Sequence, residues 1–203
     1  SYLREAQAIG AKRFGWAQRL ARSGQRKGNK VTGIGIGQAY HPAGFSGFDG
    51  LVRITPDGKI HIHTGVGNLG TFSHSGTARI AAEVLRFDWE NCIIERGDTP
   101  RHLPWNIGQF GSNTSFTMAR TNYVAAMDAL TKIREIAAHD LGGRQEDYEV
   151  DGKSVFARTH PARRMAYGKL AQRAIELGVR YSGQELPKDI KPMTRTSATA
   201  LAG

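Results

Sequence analysis

A single cysteine, Cys92, stands among the 203 residues. One thiol excludes an internal disulfide, a cysteine-ligated iron–sulfur cluster and a Cys-rich zinc site within this chain. Its strand-like neighbourhood, residues 89–95, predicts a buried, inert thiol rather than a nucleophile. No apolar run reaches the roughly 20 residues a membrane-spanning helix needs. No signal peptide is visible either. Acidic residues are also in short supply: 18 against 28 Lys and Arg, a formal charge of +10. That balance suits nucleic acid, an anionic ligand or an acidic partner subunit. The basic residues are dispersed, however, with their densest runs at 19–30 and at Arg163–Arg164. They lack the aromatic interleaving of a single-strand binder. The chain begins at Ser1 rather than Met, which fits a processed protein or a piece of something longer.

Glycine is what the chain has in excess, 25 residues, nearly double the usual share. The glycines gather at 33–37, 44–50, 65–70 and 108–111, where they predict tight turns or close backbone approach. The pattern between them predicts an opening helix over 1–23, interrupted by Gly10 and Gly15. Residues 31–40 alternate glycine with Thr32, Ile34, Ile36 and Gln38, which reads as a strand with a bare glycine face. Residues 50–65 read as a hairpin turning at Pro56-Asp57-Gly58. His61 and His63 share one face of it. A solvated strand face accounts for them, since no third metal ligand accompanies them.

A helix follows over 74–85, with Ala78, Ile80, Ala81, Val84 and Leu85 inward and an Arg79–Glu83 pair outside. A short strand follows at 91–95. The strongest helix covers 115–141, burying Met118, Ala125, Leu130, Ile133 and Ala137, with Thr114 or Ser115 as its N-cap. A second hairpin turns at Asp151-Gly152, and a last helix over 165–177 is closed by Gly178.

One design occurs twice: strand, glycine-rich loop, helix. Gly65 to Gly70 leads into one helix and Gly108 to Ser112 into another. A helix N-terminus offers unpaired N–H groups and partial positive charge. Glycine lets a ligand come close, and Ser112, Thr114 and Ser115 supply adjustable donors. Such loops suit a polar cofactor or an anion, or are simply capped helix starts. Neither carries the P-loop lysine or the Rossmann glycine spacing.

In order and spacing, several segments together resemble one family. They are 10–19, 33–37, 49–65, 65–85, 95–100, 111–130, 146–157 and 165–174. The chain resembles the middle portion of the molybdopterin-binding large subunit of the xanthine dehydrogenase, aldehyde oxidase and carbon monoxide dehydrogenase family. The resemblance implies that Gly70, Thr71 and Phe72 match a Gly-Gln-Gly loop beside the molybdenum ligands. Gly111, Ser112, Asn113, Thr114 and Ser115 match a Gly-Ser-x-Ser-Thr loop that holds the pterin and its phosphates. Thr71 stands where the family has glutamine, and Phe72 where it has glycine. The family's upstream glycine loop and its downstream general-base glutamate have no match here, so no catalytic residue and no protein metal ligand is assigned.

The expectation is an α+β chain of twisted mixed or antiparallel sheets with packed helices. An N-terminal helix and linker at 1–30 precede a partial molybdopterin-binding domain at 31–187. Residues 188–203 form a tail or a connection. The implied function is part of a molybdenum-cofactor oxidoreductase that uses water to oxidise a carbon centre. Its cofactor would be molybdopterin with molybdenum, in the plain or cytosine dinucleotide form. Implied partners are the remaining molybdopterin-binding polypeptide, an iron–sulfur subunit and a flavin subunit, since iron–sulfur clusters and FAD must lie outside this chain. Alternatives are a molybdenum-dependent hydratase or dehydrogenase variant, a non-catalytic structural subunit, and a basic nucleic-acid-binding module. The lone cysteine and the missing targeting signal favour the cytoplasm, with the periplasm as the alternative.

Overall fold

The computed structural model describes residues 2–178, apart from 42, 45–47, 99, 101–102 and 107. The expected tail at 188–203 lies outside the described residues. Contacts divide the chain into two compact units, Ser1–His41 and Pro42–Gly203.

In the first unit α1 (Tyr2–Phe14) and α2 (Trp16–Leu20) replace the single expected helix. The break is Gly15, at φ 69°, a conformation that costs glycine little. No described residue of either helix is buried, because Gly10 and Gly15 interrupt the apolar stripe. Arg19 instead covers Phe14, its guanidinium 4.6 Å from the ring centroid. A two-residue hairpin follows, β1 (Arg26–Lys27) with β2 (Lys30–Val31). The strand expected over 31–40 ends at Val31. Glycine alternation leaves no side chains to pack, and Ile36 is exposed.

The second unit opens on β3 (Leu51–Ile54) and β4 (Ile60–His63), antiparallel in the register Val52↔Ile62. The predicted turn closes through Gly58 N–H donating to Thr55 O at 2.8 Å, with Gly58 at φ 81°. Next comes α3 (Ser73–Leu85), and then β5 (Cys92–Glu95), parallel to β4. A wide turn over Thr114–Met118 leads into α4 (Ala119–Leu141). β6 (Tyr148–Val150), β7 (Ser154–Ala157) and β8 (His160–Ala166) form an antiparallel meander, and α5 (Tyr167–Leu177) ends the described chain. This is the expected α+β class, with one mixed and one antiparallel three-stranded sheet. β8 is a strand that the residues do not announce: its segment, His-Pro-Ala-Arg-Arg-Met-Ala, is almost wholly exposed and lacks apolar alternation.

One core joins both sheets to the helices. Ile54, Ile60 and Ile62 meet Ala78, Ala81 and Leu85 of α3 and Ala125, Ala129 and Ile133 of α4. Small residues on facing helices let their backbones approach closely. α5 packs by the same means: a Cβ on Gly168 would lie 2.4 Å from the Pro56 carbonyl. Its first residue, Tyr167, stacks on Phe87 at 4.6 Å and donates its hydroxyl to Leu85 O at 2.8 Å. That bond satisfies a carbonyl the end of α3 cannot pair internally.

His61 and His63 do not line a solvated face. His63 is 2% exposed, and His61 Nδ1 lies 2.8 Å from Glu95 Oε1 on the parallel neighbour β5. The parallel pairing sets Glu95 directly opposite His63 and within reach of His61 on the same face. Cys92 is half-buried rather than fully buried. Burial, with the Asp88 charge, pushes its thiol up to about 11, so it stays protonated near neutrality.

Acid will loosen the second unit. Burial alone would raise the Asp151 carboxyl, but N–H bonds from Lys153 and Ser154, the Ser154 hydroxyl and the Arg164 charge outweigh it and hold it low. Burial likewise opposes, and Arg173 with His139 outweighs, at Asp140. A depressed folded pKa contributes stability above the unfolded value, about 3.9, and loses it as pH falls through the folded value. Urea midpoints are therefore expected to be flat from pH 7 to about 5 and to drop below about 4. Asp151→Asn should flatten that drop.

Candidate functional site

Past β4, the chain runs through Thr64, whose N–H donates to Glu95 O at 3.0 Å. Gly65 then passes so close to the Pro104 carbonyl that a Cβ would stand 2.2 Å from it. Val66 buries against Phe48 and Met118. Asn68 Oδ1 accepts the Thr71 N–H at 3.0 Å and so closes a tight turn around Gly70, at φ 79°. Phe72 follows at φ 53°, left-handed although it carries a side chain, and that side chain is exposed. Ser73 opens α3, whose first N–H groups have no partner within the helix.

His74 fastens this loop to β5. Its Nε2–H donates to Val66 O at 2.8 Å, and its Nδ1 accepts from Arg96 at 2.7 Å. Those two partners fix the neutral ring's tautomer, because a carbonyl can only accept and a guanidinium can only donate.

The second glycine loop bends through Gly108 at φ 107°, then Gly111 and Ser112, both at φ 54°. Helical turns start at Asn113, and the Ser112 carbonyl accepts the Phe116 N–H at 3.0 Å. Neither Thr114 nor Ser115 is the N-cap expected from the sequence. Both lie inside the wide turn, where Thr114 is buried, and the Thr117 hydroxyl donates to Asn113 Oδ1 at 2.8 Å.

Tertiary packing sets the two loops side by side around a cavity of about 270 Å³. Thr71, Ser112, Asn113, Thr114 and Ser115, all predicted site residues, line it. Gly70, Phe72 and Gly111 are not among its lining residues, but each stands between two that are, and all three supply left-handed backbone bends to the loops. Leu69 and Phe110 add apolar wall. Two further polar residues were not legible in the sequence, Ser73 and Gln109. Gln109 had no signal beyond a glycine on its N-terminal side. The amide of Gln109 donates to Ser73 Oγ at 2.8 Å and ties the loops together. Two side-chain atoms of these lining residues, Gln109 Oε1 and Thr114 Oγ1, are closed off from solvent and have no hydrogen-bond partner among the described residues. Among the described residues no three His, Cys, Asp or Glu side chains come together to hold a metal ion.

Comparison with known proteins follows the same outline. The model of the molybdopterin cofactor-binding domain matches residues 10–199. The aldehyde oxidoreductase molybdenum-binding subunit PaoC of Escherichia coli O157:H7 is 33% identical over 182 residues, 86% of this chain and 24% of its own length. The carbon monoxide dehydrogenase large chain of Afipia carboxidovorans is 30% identical over 123 residues, 60% of this chain and 15% of its own. A solved structure, reconstituted CO dehydrogenase from Oligotropha carboxidovorans, superposes with a TM-score of 0.53 at 26% identity, covering 70% of this chain and 16% of that one. The chain thus spans about a quarter of the length of the aldehyde oxidoreductase subunit it matches. With the family model matching residues 10–199, the chain belongs to the molybdopterin cofactor-binding domain family.

Proposed function

We propose that the cavity between the two glycine loops holds part of a molybdopterin cofactor, and that the chain contributes this wall to the composite active site of a molybdenum-dependent oxidoreductase. The observation that carries the reading is the convergence of Thr71 with Ser112–Ser115 on one cavity. Phe72 and Ser112 hold left-handed backbone on both sides, a strain of about 1–3 kcal/mol each that clusters at ligand sites. Pockets for whole cofactors run from about 300 to 1,000 Å³. A cavity of about 270 Å³ takes a ring-sized portion, leaving the rest to other polypeptide.

When bound, the molybdenum centre supplies oxygen transfer from water and takes up the electrons of the oxidised carbon. The work of this chain is to bind and orient. Thr71 would stand nearest the metal end. Ser112, Thr114 and Ser115 would donate to the polar edges and phosphates, assisted by the partial positive charge where helical turns begin. With one cysteine, the chain needs partner subunits for iron–sulfur and flavin relays. The remaining molybdopterin-binding polypeptide completes the pocket. The cytosine dinucleotide form and a cytoplasmic location are part of this proposal. Metal and pterin analysis of the native complex tests it: molybdenum and a fluorescent pterin, about one of each per chain, are expected. A complex with neither molybdenum nor tungsten would remove the reading.

A further inference from the structure

The first half of α4 is apolar on two sides. Its inward side carries Ala125, Ala126 and Ala129 into the core. On the outward side, Phe116 of the wide turn and Tyr123 and Met127 of the helix recur at spacings of seven and four residues and so share a face, with Val124 beside it. All four are between 38% and 50% exposed. From Asp128 onward the outward side turns polar: Asp128 pairs with Lys132 at 2.9 Å, and Thr131 and His139 are exposed. A helix that is apolar all round belongs in an interior, and a stripe of this kind marks a surface that something covers. Arg120 lies within the stripe. Its guanidinium is 5.4 Å from the Phe116 ring centroid, and it meets no carboxylate among the described residues.

The stripe begins at the cavity. The Phe116 ring lies so close to Gly44 that a Cβ there would overlap it. The Gly44 N–H in turn donates at 3.2 Å to the carbonyl of Gly111, which stands between the cavity-lining Phe110 and Ser112. We infer that the outward stripe of α4, from Phe116 to Met127, seats the rest of the molybdopterin-binding polypeptide, through an apolar segment that brings a carboxylate to Arg120. Aromatic residues, Met and Arg are the types that concentrate in interface centres. An arginine among apolar neighbours gains most from a carboxylate that arrives with them, because the pair is then shielded from water. Position selects this occupant: a polypeptide that closes the cavity must pass Phe116. The aldehyde oxidoreductase subunit is matched over only 24% of its length, so most of a relative's chain lies beyond the matched region. The choice of occupant rests on the cofactor reading above; the covering of α4 does not.

The test places the photo-reactive amino acid p-benzoyl-phenylalanine at position 123, in the complex as purified. Cross-linked peptides are identified by mass spectrometry, and pterin is measured on the same sample. Cross-links to molybdopterin-binding sequence outside these 203 residues are expected. Cross-links to an iron–sulfur or flavin subunit, to a second copy or to residues 1–41 of this chain overturn the inference, and so does their absence. Should the complex fail to assemble with that residue at 123, position 127 takes it under the same outcomes. In the cross-linking complex, Arg120→Glu should lower the yield about tenfold, because like charges then face each other, whereas Arg120→Lys should keep it within about threefold. A Glu variant that cross-links as well as the parent overturns the carboxylate. A complex that gives the expected cross-links but holds no pterin upholds the docking and overturns the cofactor reading instead.

Discussion

Gly152→Ala is expected to cost the second unit about 2–5 kcal/mol, a large part of a typical domain's 5–15. Gly152 sits at the tip of the β6–β7 hairpin, at φ 89°. A Cβ built there would stand 1.9 Å from the Arg86 carbonyl oxygen and 3.0 Å from its carbon. The obstacle is backbone, so no rotamer change relieves it. Left-handed strain adds about 1–2 kcal/mol. The overlap adds overpacking of the kind that shifts backbone, about 1–3 kcal/mol. Arg86 itself sits left-handed at the end of α3, so the hairpin tip and the helix end must move together. Gly142→Ala is the control. Gly142 has φ 78°, but no described atom lies within 4 Å of where its Cβ would stand, so it carries the strain alone. Urea denaturation of both variants should place the Gly142 midpoint near the parent and the Gly152 midpoint far below it. Similar losses in the two would mean that the close approach to Arg86 is not a constraint.

Gly70→Val is expected to remove most of the cofactor from the complex while leaving the fold nearly as stable as the parent. Gly70 is left-handed at φ 79°, and no described atom lies within 4 Å of a Cβ placed on it. Within the chain, the substitution thus brings strain of about 1–2 kcal/mol and no clash. Any larger effect must come from something outside the described residues that approaches the loop. The Asn68 Oδ1 bond to Thr71 N–H would be disturbed as the turn reopens, and Thr71 would leave the cavity wall. Molybdenum content is expected to fall at least tenfold, while the melting temperature stays near the parent's. Thr71→Gln, with a longer reach into the same cavity, should keep or raise retention, because Phe72 points into solvent and leaves room beside it. Melting temperature and molybdenum content of Gly70→Val and Thr71→Gln separate the alternatives. A turn whose only duty is to join β4 to α3 would lose cofactor in step with stability, and Thr71→Gln would change neither.

Much of the second unit was legible from local chemistry. Pro56-Asp57-Gly58 announced its turn because few residues suit that backbone. The 3.6-residue recurrence of Ala125, Leu130, Ile133 and Ala137 announced α4, since one helix face must be buried. Thr71 and Ser112–Ser115, which line the cavity, stood out in the sequence through the family resemblance and through bare backbone and hydroxyls at helix starts. Local pattern failed where a neighbour decides. Residues 31–40 alternate like a strand, yet a ladder needs a partner with side chains to pack, and the pairing stops at Val31. His61 and His63 alternate outward on a hairpin, yet β5 pairs beside them through the α3 crossover and brings Glu95 to both. β8 has no pattern because an exposed edge strand is held by its backbone bonds to β7.

The sequence by itself determined the composition of the site: which short stretches are bare, which carry hydroxyls, and that one cysteine cannot hold a cluster. Only the tertiary structure decided that Thr71 and Ser112–Ser115 share a cavity, and that the Gln109 amide ties its two loops together through Ser73. Turn and helix signals depend on neighbours along the chain, so they can be read from it. Convergence of two loops depends on which donors and acceptors meet across the fold, and no local pattern encodes that.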